Sequence, residues 1–98
     1  MMINNIQRMT LKQAIITYGE DKQQLVAIEE LSELQKAIVK FFRKPDNPKC
    51  AEDIAEEMAD VYIMLKQLEI IHKNTTAVGK NIHFKIKRLA DRLQAENK

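Results

Sequence analysis

Apolar residues recur at intervals of three and four along most of the chain, and this spacing predicts four α-helices. Their expected ranges are about 10–18, 21–43 and 50–73, with the fourth helix around 82–93. Gly19 is expected to end the first helix, and residues 21–24 to open the second with a capping box. The segment 44–49 holds two prolines and an Asp-Asn pair, so it is the one clear loop, and 74–76 break the chain again. The predicted fold class is all-α.

The second and third predicted helices are long and joined by a short turn, which favours an antiparallel helical hairpin. The expected core positions of the second helix are Leu25, Ile28, Leu31 or Leu34, Ile38, and Phe41 or Phe42. Those of the third helix are Ile54, Met58, Val61, Leu65, Leu68 and Ile71. Because both helices are apolar on two sides, four short helices cannot cover them fully, and a homodimer or homotetramer is expected.

Two carboxylate pairs stand on the hairpin helices, each with a spacing of three. Glu30 and Glu33 lie on the second helix, and Glu57 and Asp60 lie on the third. Residues three apart share a helix face, so each pair directs its oxygens to one place. No acidic residue of 29–33 or 52–60 has a Lys or Arg four positions later, although the chain contains sixteen such residues. An antiparallel hairpin brings the two pairs together, and this arrangement predicts a bound cation.

Oxygen ligands of this kind favour a hard divalent cation, since several buried anions without a partner are costly. Mg²⁺ takes oxygen ligands in octahedral geometry and commonly bridges to substrate phosphates, and Mn²⁺ is a reasonable substitute. Zinc is not expected, because no Cys or His lies near the pairs in the sequence. For either pair taken alone, the alternative interpretation is a solvated acidic face.

Composition and charge restrict the class of protein. The 98 residues are expected to form one domain over 1–98. The net charge is only +2, which does not indicate a nucleic-acid binder. The single cysteine, Cys50, excludes an intramolecular disulfide and fits a reducing cytoplasm. Neither a signal peptide nor a run of roughly 18 apolar residues is recognised, so a cytoplasmic protein without a membrane partner is expected.

The two acidic segments together resemble a known family. Residues 27–34 are Ala-Ile-Glu-Glu-Leu-Ser-Glu-Leu, and residues 54–61 are Ile-Ala-Glu-Glu-Met-Ala-Asp-Val. An ExxE pair followed, after a helix–loop–helix interval, by ExxD is similar to the hallmark of the MazG-like all-α nucleotide pyrophosphohydrolases. The resemblance covers about 25–68, and the small single-domain size resembles the phage and prophage branch of that family.

The resemblance implies a four-helix MazG-like bundle, built on the hairpin and completed by oligomerisation. It implies Mg²⁺-dependent hydrolysis of a (deoxy)nucleoside triphosphate to the monophosphate and pyrophosphate. The metal ligands that it implies are Glu30, Glu33, Glu57 and Asp60. Glu29 or Glu56 would act as the catalytic base or contact an outer-shell water, and the spacing leaves that choice open.

Basic residues near these segments are candidates for binding the phosphates of the substrate. Lys40 and Arg43 follow the first carboxylate pair along the second helix, and Lys80 and Lys85 stand on the basic fourth helix. A solvated helix face is the default interpretation of the two on the second helix. The fourth helix is also expected to reach the site of a neighbouring subunit.

Two other functions fit the same sequence. Phosphoribosyl-ATP pyrophosphohydrolase is a related activity with a similar metal site, although no residue specifically indicates that substrate. A non-enzymatic helical interaction or regulatory module would use the acidic patch to bind a basic partner. Carboxylates of a metal site are expected to converge and be partly buried, whereas a docking patch is expected to spread over an exposed surface.

Overall fold

The computed structural model describes residues 2–97 and contains four α-helices, with no strand in that range. Helix α1 spans Asn5–Tyr18, α2 Glu20–Arg43, α3 Pro48–His72 and α4 Thr75–Glu96. The all-α prediction is therefore confirmed for the described part of the chain. No helix within 2–97 is both long and apolar enough to cross a membrane.

Helix α1 begins earlier than predicted because Asn4 caps it. The Oδ1 atom of Asn4 accepts a hydrogen bond from the backbone N–H of Gln7 at 2.8 Å. In return, the backbone N–H of Asn4 donates to Oε1 of Gln7 at 3.0 Å, which completes a capping box. The capping box predicted at 21–24 is wrong, since α2 begins at Glu20 without a side-chain cap.

Gly19 separates α1 from α2 by a single residue. Its N–H donates to the carbonyl of Ile15 at 2.8 Å, and its own carbonyl accepts from the N–H of Gln23 at 3.1 Å. Its φ of +93° lies in a region that side chains with a Cβ atom rarely adopt. The predicted stop at Gly19 is confirmed, and the same residue redirects the chain into α2.

The connection between α2 and α3 is shorter than predicted. Pro48 is the first residue of α3, a position where its missing N–H is not needed. Asn47 caps the helix, because its Oδ1 accepts a hydrogen bond from the N–H of Lys49 at 2.9 Å. Only 44–47 form the loop, so the placement of 48 and 49 in it is wrong.

Helices α2 and α3 form an antiparallel hairpin. Gln23 of α2 meets Gln67 of α3 near one end, and Glu30 meets Glu57 closer to the loop. As the residue number rises along α2, the number of the facing residue on α3 falls, which is the pattern of an antiparallel pair. The hairpin fixes the relative positions of the acidic side chains.

The two helices meet along a seam made of two rows, each with alternating spacings of four and three. The α2 row consists of Gln23, Ala27, Glu30, Leu34, Ala37 and Phe41. The α3 row consists of Cys50, Ile54, Glu57, Val61, Met64 and Leu68. Every member of both rows is buried or half-buried. This is the spacing of coiled-coil packing, and the small alanines allow the helix axes to approach closely.

Part of the predicted core is exposed instead. On α2, Leu34 and Phe41 face the seam, whereas the other predicted positions are exposed: Leu25, Ile28, Leu31, Ile38 and Phe42. On α3, Met58 and Leu65 are likewise exposed. Each helix carries apolar residues on two sides, and helical spacing does not indicate which side meets the neighbouring helix.

Helices α1 and α4 differ in how they attach to the hairpin. Helix α1 contacts both α2 and α3, and it buries Ile15. Helix α4 contacts α3, yet every residue from 79 to 97 is exposed. The radius of gyration is 16.7 Å, compared with roughly 13 Å for a compact domain of about this length. A single copy is therefore extended.

Candidate functional site

Glu30 and Glu57 occupy positions of the seam between α2 and α3. Ala27 and Leu34 flank Glu30 in the α2 row, and Ile54 and Val61 flank Glu57 in the α3 row. The packing of these neighbours holds both glutamates half-buried between the helices. A carboxylate at such a position loses hydration, so it needs a compensating partner.

Asp60 completes a cluster with these two glutamates. Glu30, Glu57 and Asp60 each offer one carboxylate oxygen, and the three oxygens lie within 4.8 Å of one another. Asp60 stands one turn beyond Glu57 on α3 and is exposed, so the cluster opens to solvent on that side. The group has the size of a site for one cation, and it is open to solvent at Asp60.

Burial and mutual repulsion raise the pKa of the two seam glutamates. Loss of hydration is the largest cause that raises the pKa of Glu30 above its ordinary value of 4.5. Repulsion from Asp60 and Glu57 and a hydrogen bond to Asp60 raise it further. The pKa of Glu57 is raised in the same way, first by burial and then by repulsion from Asp60 and Glu33. A cation would remove this repulsion and favour the charged forms.

One oxygen of Glu57 has no hydrogen-bond partner among residues 2–97. Its Oε2 atom is buried and accepts no hydrogen bond. A buried acceptor that lacks a partner is costly, and a cation ligated by that oxygen removes the cost. The three carboxylates supply only oxygen atoms, which suits Mg²⁺ and Mn²⁺. The residues present therefore fit the expected metal.

Glu33, the fourth predicted ligand, lies outside the cluster. Its Oε1 atom pairs with Nζ of Lys36 at 3.4 Å, and both side chains are exposed. The charge of Glu33 is still close enough to raise the pKa of Glu30 and Glu57. Glu33 is thus a neighbour of the cluster, with its side chain directed to Lys36.

The acidic residues are better compensated than the sequence suggests. Nζ of Lys49 pairs with Oδ1 of Asp53 at 2.8 Å, and the hydrogen bond to Asp53 is the main cause that raises the pKa of Lys49. Glu33 pairs with Lys36, as described. Lys36 lies three residues after Glu33, and Lys49 lies four residues before Asp53, so neither lysine stands four positions after its acid. Of the acids in 29–33 and 52–60, only Glu33 and Asp53 have an ion-pair partner among residues 2–97, so the three carboxylates of the cluster have none.

The two candidates for a catalytic base, Glu29 and Glu56, are exposed side chains beside the cluster. Glu29 precedes Glu30 and points about 100° away from it around the helix. Glu56 stands in the same relation to Glu57, and its charge contributes to the raised pKa of Glu57. Neither belongs to the group of converging oxygens among the described residues.

Lys40 and Arg43 lie on α2 between the cluster and the loop. With Lys36, Val39 and Lys44, they line a shallow depression of about 420 Å³. Lys40 follows Glu33 by seven residues, so it stands two turns farther along the same side of α2. The hairpin therefore presents positive charge beyond the carboxylates, on the helix that carries Glu30.

Lys80 and Lys85 lie on α4, away from this arrangement. Both side chains are exposed, and neither forms an ion pair with a carboxylate among residues 2–97. Within one copy, the structure does not bring them to Glu30 or Glu57. Their predicted role in phosphate binding requires a second subunit.

The signal that separates Glu30 and Glu57 from the other acids is their place in the seam. In both rows a glutamate stands where the spacing calls for an apolar residue. Spacing, charge and the family resemblance indicated these residues in the sequence, whereas the apolar pattern placed the core of α2 on other residues. Lys36 and Lys49 were missed as charge partners, although their spacings of three and four from Glu33 and Asp53 are visible in the sequence.

No family model matches this chain, and no curated protein or solved structure matches it either. The chemistry of the cluster therefore supports cation binding, whereas any choice of substrate rests on the sequence resemblance over about 25–68.

Proposed function

We propose that this chain is a Mg²⁺-dependent nucleotide pyrophosphohydrolase. It hydrolyses a (deoxy)nucleoside triphosphate between the α- and β-phosphates and releases the monophosphate and pyrophosphate. Mn²⁺ is the expected substitute for Mg²⁺. The proposal extends to the MazG-like bundle, to assembly as a homodimer or homotetramer, and to a cytoplasmic location.

One observation supports the metal site of this proposal, and the nucleotide substrate rests on the resemblance of about 25–68 to the MazG-like pyrophosphohydrolases. Three carboxylates converge within 4.8 Å, and a buried oxygen of Glu57 has no hydrogen-bond partner in the described range 2–97. An acidic patch that docks a basic protein would spread over exposed residues. Here the two central glutamates are half-buried within a helix seam, which favours a compact cation over a basic side chain.

The residues divide into three roles in this proposal. Glu30, Glu57 and Asp60 hold the metal, and Glu33 joins them when its side chain turns away from Lys36. When bound, Mg²⁺ supplies charge neutralisation for phosphate oxygens and lowers the pKa of a coordinated water. Glu29 or Glu56 accepts the proton of the attacking water through an outer-shell contact.

The basic residues bind the polyphosphate. Lys40 and Arg43 stand on the same helix as Glu30 and contact phosphate oxygens that extend toward the loop. Lys80 and Lys85 reach a phosphate only from the α4 helix of a second subunit. Lys and Arg suit this role, because charge-assisted hydrogen bonds to phosphate are about twice as strong as neutral ones.

The proposal is tested by pyrophosphate release from a panel of nucleoside triphosphates in the presence of Mg²⁺. Phosphoribosyl-ATP belongs in the panel, because the related activity would be detected there. Wild type is compared with Glu57→Gln and Asp60→Asn, which keep the shape of each side chain and remove its charge. Loss of a metal ligand is expected to lower kcat/KM by roughly 100-fold or more.

Glu52→Gln is the matched control. Glu52 is an exposed acid on the same helix and lies outside the cluster, so its variant is expected to retain wild-type activity. The proposal fails if no substrate in the panel is hydrolysed. It also fails if Glu57→Gln and Asp60→Asn turn over substrate as fast as Glu52→Gln.

A further inference from the structure

A charged row runs along α2 beside the seam, and its spacing alternates between four and three, like that of the seam itself. The row consists of Glu29, Glu33, Lys36, Lys40 and Arg43, and all five side chains are exposed. Its sign changes once, because the acids stand next to the cluster and the cations stand between the cluster and the loop. Residues at this spacing share one face of a helix, so a ligand that extends from the cluster along α2 meets the three cations in turn.

The cations of this row are gathered without acids. Residues 34–44 contain four Lys or Arg and no Asp or Glu. These four, Lys36, Lys40, Arg43 and Lys44, line the depression of about 420 Å³, which we call the basic depression. Among residues 2–97, Lys36 pairs with Glu33, whereas the other three form no ion pair. Like charges held in one depression repel each other, so a bound polyanion would relieve that repulsion.

The basic depression begins close to the cluster along α2. Lys36 and Lys40 stand six and ten residues after Glu30, which is about 9 and 15 Å along the helix axis. Side chains of a helix lean toward its N-terminus, and for both lysines that is the direction of the cluster. A chain of phosphates that begins at the cluster therefore meets ammonium groups on its way to the loop.

The other end of the same side is apolar. Ile63 follows Asp60 by three residues, so it continues the same face of α3 away from the loop. It lines a cavity of about 220 Å³ with Ile3, Thr10 and Leu11, and none of the lining residues in the described range 2–97 is Lys or Arg. A phosphate chain has no charged partner at that end. The two ends therefore favour one direction for a bound polyanion, which is toward the loop.

We propose that the basic depression binds the terminal phosphate of the substrate, so that the site selects nucleotides with at least three phosphates over diphosphates. The inference rests on the proposed pyrophosphohydrolase function, to which it adds the orientation of the substrate and the residues that distinguish its length. In this orientation the α- and β-phosphates lie at the cluster, and the γ-phosphate contacts Lys40 and Arg43. Ammonium and guanidinium groups form charge-assisted hydrogen bonds to phosphate oxygens. A diphosphate lacks the phosphate that makes these contacts.

The ratio of kcat/KM for a nucleoside triphosphate to that for the matching diphosphate tests the proposal. Hydrolysis between the α- and β-phosphates releases pyrophosphate from the first and orthophosphate from the second, so the two rates are measured separately. The double variant Lys40→Gln/Arg43→Gln is expected to lower this ratio about 10-fold or more, since a hydrogen bond to a charged group typically contributes that much. Both side chains are exposed, so circular dichroism is expected to show an unchanged helix content.

Binding of inorganic tripolyphosphate provides a second readout that needs neither metal nor turnover. Isothermal titration calorimetry is carried out with a chelator at one fixed, low ionic strength, because salt screens exposed charges. The double variant is expected to bind tripolyphosphate about 10-fold more weakly than wild type, or weaker still. This measurement separates the two hypotheses. Absence of nucleotide hydrolysis by wild type refutes the proposed function, whereas the basic depression is then judged by tripolyphosphate binding.

Lys22→Gln is the matched control. Lys22 is exposed and stands about five turns before Lys40 on the same side of α2, at the end away from the basic depression. This variant is expected to match wild type in both measurements. The proposal is wrong if the double variant binds tripolyphosphate as tightly as wild type, since Lys40 and Arg43 would then serve only the negative end of the α2 dipole. An unchanged ratio of kcat/KM in the double variant, or an equal loss in Lys22→Gln, would also overturn it.

Discussion

Gln23 of α2 and Gln67 of α3 form a hydrogen bond of 2.7 Å between Nε2 and Oε1, and both side chains are buried. This polar contact lies within the hairpin, at the end farther from the loop. An amide pair of this kind fixes the register of the two helices, because each side chain is satisfied only opposite the other. The register in turn determines which residues stand opposite Glu30.

Gln67→Leu is expected to destabilise the protein by about 1–3 kcal/mol, since the amide of Gln23 is left buried without its partner. The double variant Gln23→Leu/Gln67→Leu is expected to recover most of that loss, because both polar groups are removed together. Urea denaturation of the single and double variants measures the difference. Additive losses in the double variant would show that the two amides do not depend on each other.

The two glycines give opposite predictions for substitution by alanine. Gly19→Ala is expected to cost about 1–2 kcal/mol of folding free energy, because φ is +93° at that position. Gly79→Ala is expected to stabilise by about 0.5–1 kcal/mol, since Gly79 lies within α4 and a Cβ atom there meets open space. Thermal denaturation of the two variants side by side checks the signs, and equal effects would contradict the role of Gly19.

The raised pKa values of Glu30 and Glu57 predict how the stability of the metal-free protein depends on pH. Below pH 4.5 these carboxyls are protonated in both the folded and the unfolded chain, so they cost nothing. As the pH rises above 4.5, the unfolded chain releases the protons first. The free energy of unfolding is therefore expected to fall until the pH passes the raised pKa values.

Glu57→Gln isolates this effect. In the presence of a chelator, the variant is expected to be more stable than wild type at neutral pH and to lose that advantage below pH 4.5. Chemical denaturation at several pH values measures the difference. An advantage that does not change with pH would indicate improved packing instead of relief of charge.

Binding of Mg²⁺ or Mn²⁺ is expected to stabilise the folded protein. A concentration 100-fold above the dissociation constant gives about 2.7 kcal/mol, because the unfolded chain has no preformed cluster. Glu57→Gln and Asp60→Asn are expected to abolish most of the rise in Tm, and Glu52→Gln to preserve it. A Tm that does not respond to either metal in wild type would rule out the cluster as a cation site.

The helices and the hairpin could be predicted from the sequence, because apolar spacing and the Pro-containing loop are local signals. The side of α2 that packs against α3 could not be predicted from the sequence. Leu25 and Ile28 repeat at helical spacing as well as Ala27 and Leu34 do, and the choice depends on contacts with a distant segment. The glutamine Gln23 and the small residue Ala37 are buried in the seam, although a search for large hydrophobic residues would not select either of them.

The candidate site was predictable in part, because the spacing of its acidic residues along each helix is also a local signal. The spacing of three and the family resemblance indicated Glu30, Glu57 and Asp60, which the structure brings together. The position of the Glu33 side chain outside the cluster was not predictable, because helical spacing fixes the face of a residue and leaves its rotamer open. The role of each residue in catalysis stays a prediction that the proposed assays test.

The seam positions of Glu30 and Glu57 imply that this chain gives up stability in order to keep its acidic cluster. Leucine at both positions would continue the apolar rows and remove the repulsion with Asp60. Such a protein would be expected to fold more tightly and to lose the cation binding proposed for the cluster. A search for stabilised variants without selection for activity should therefore converge first on these two positions.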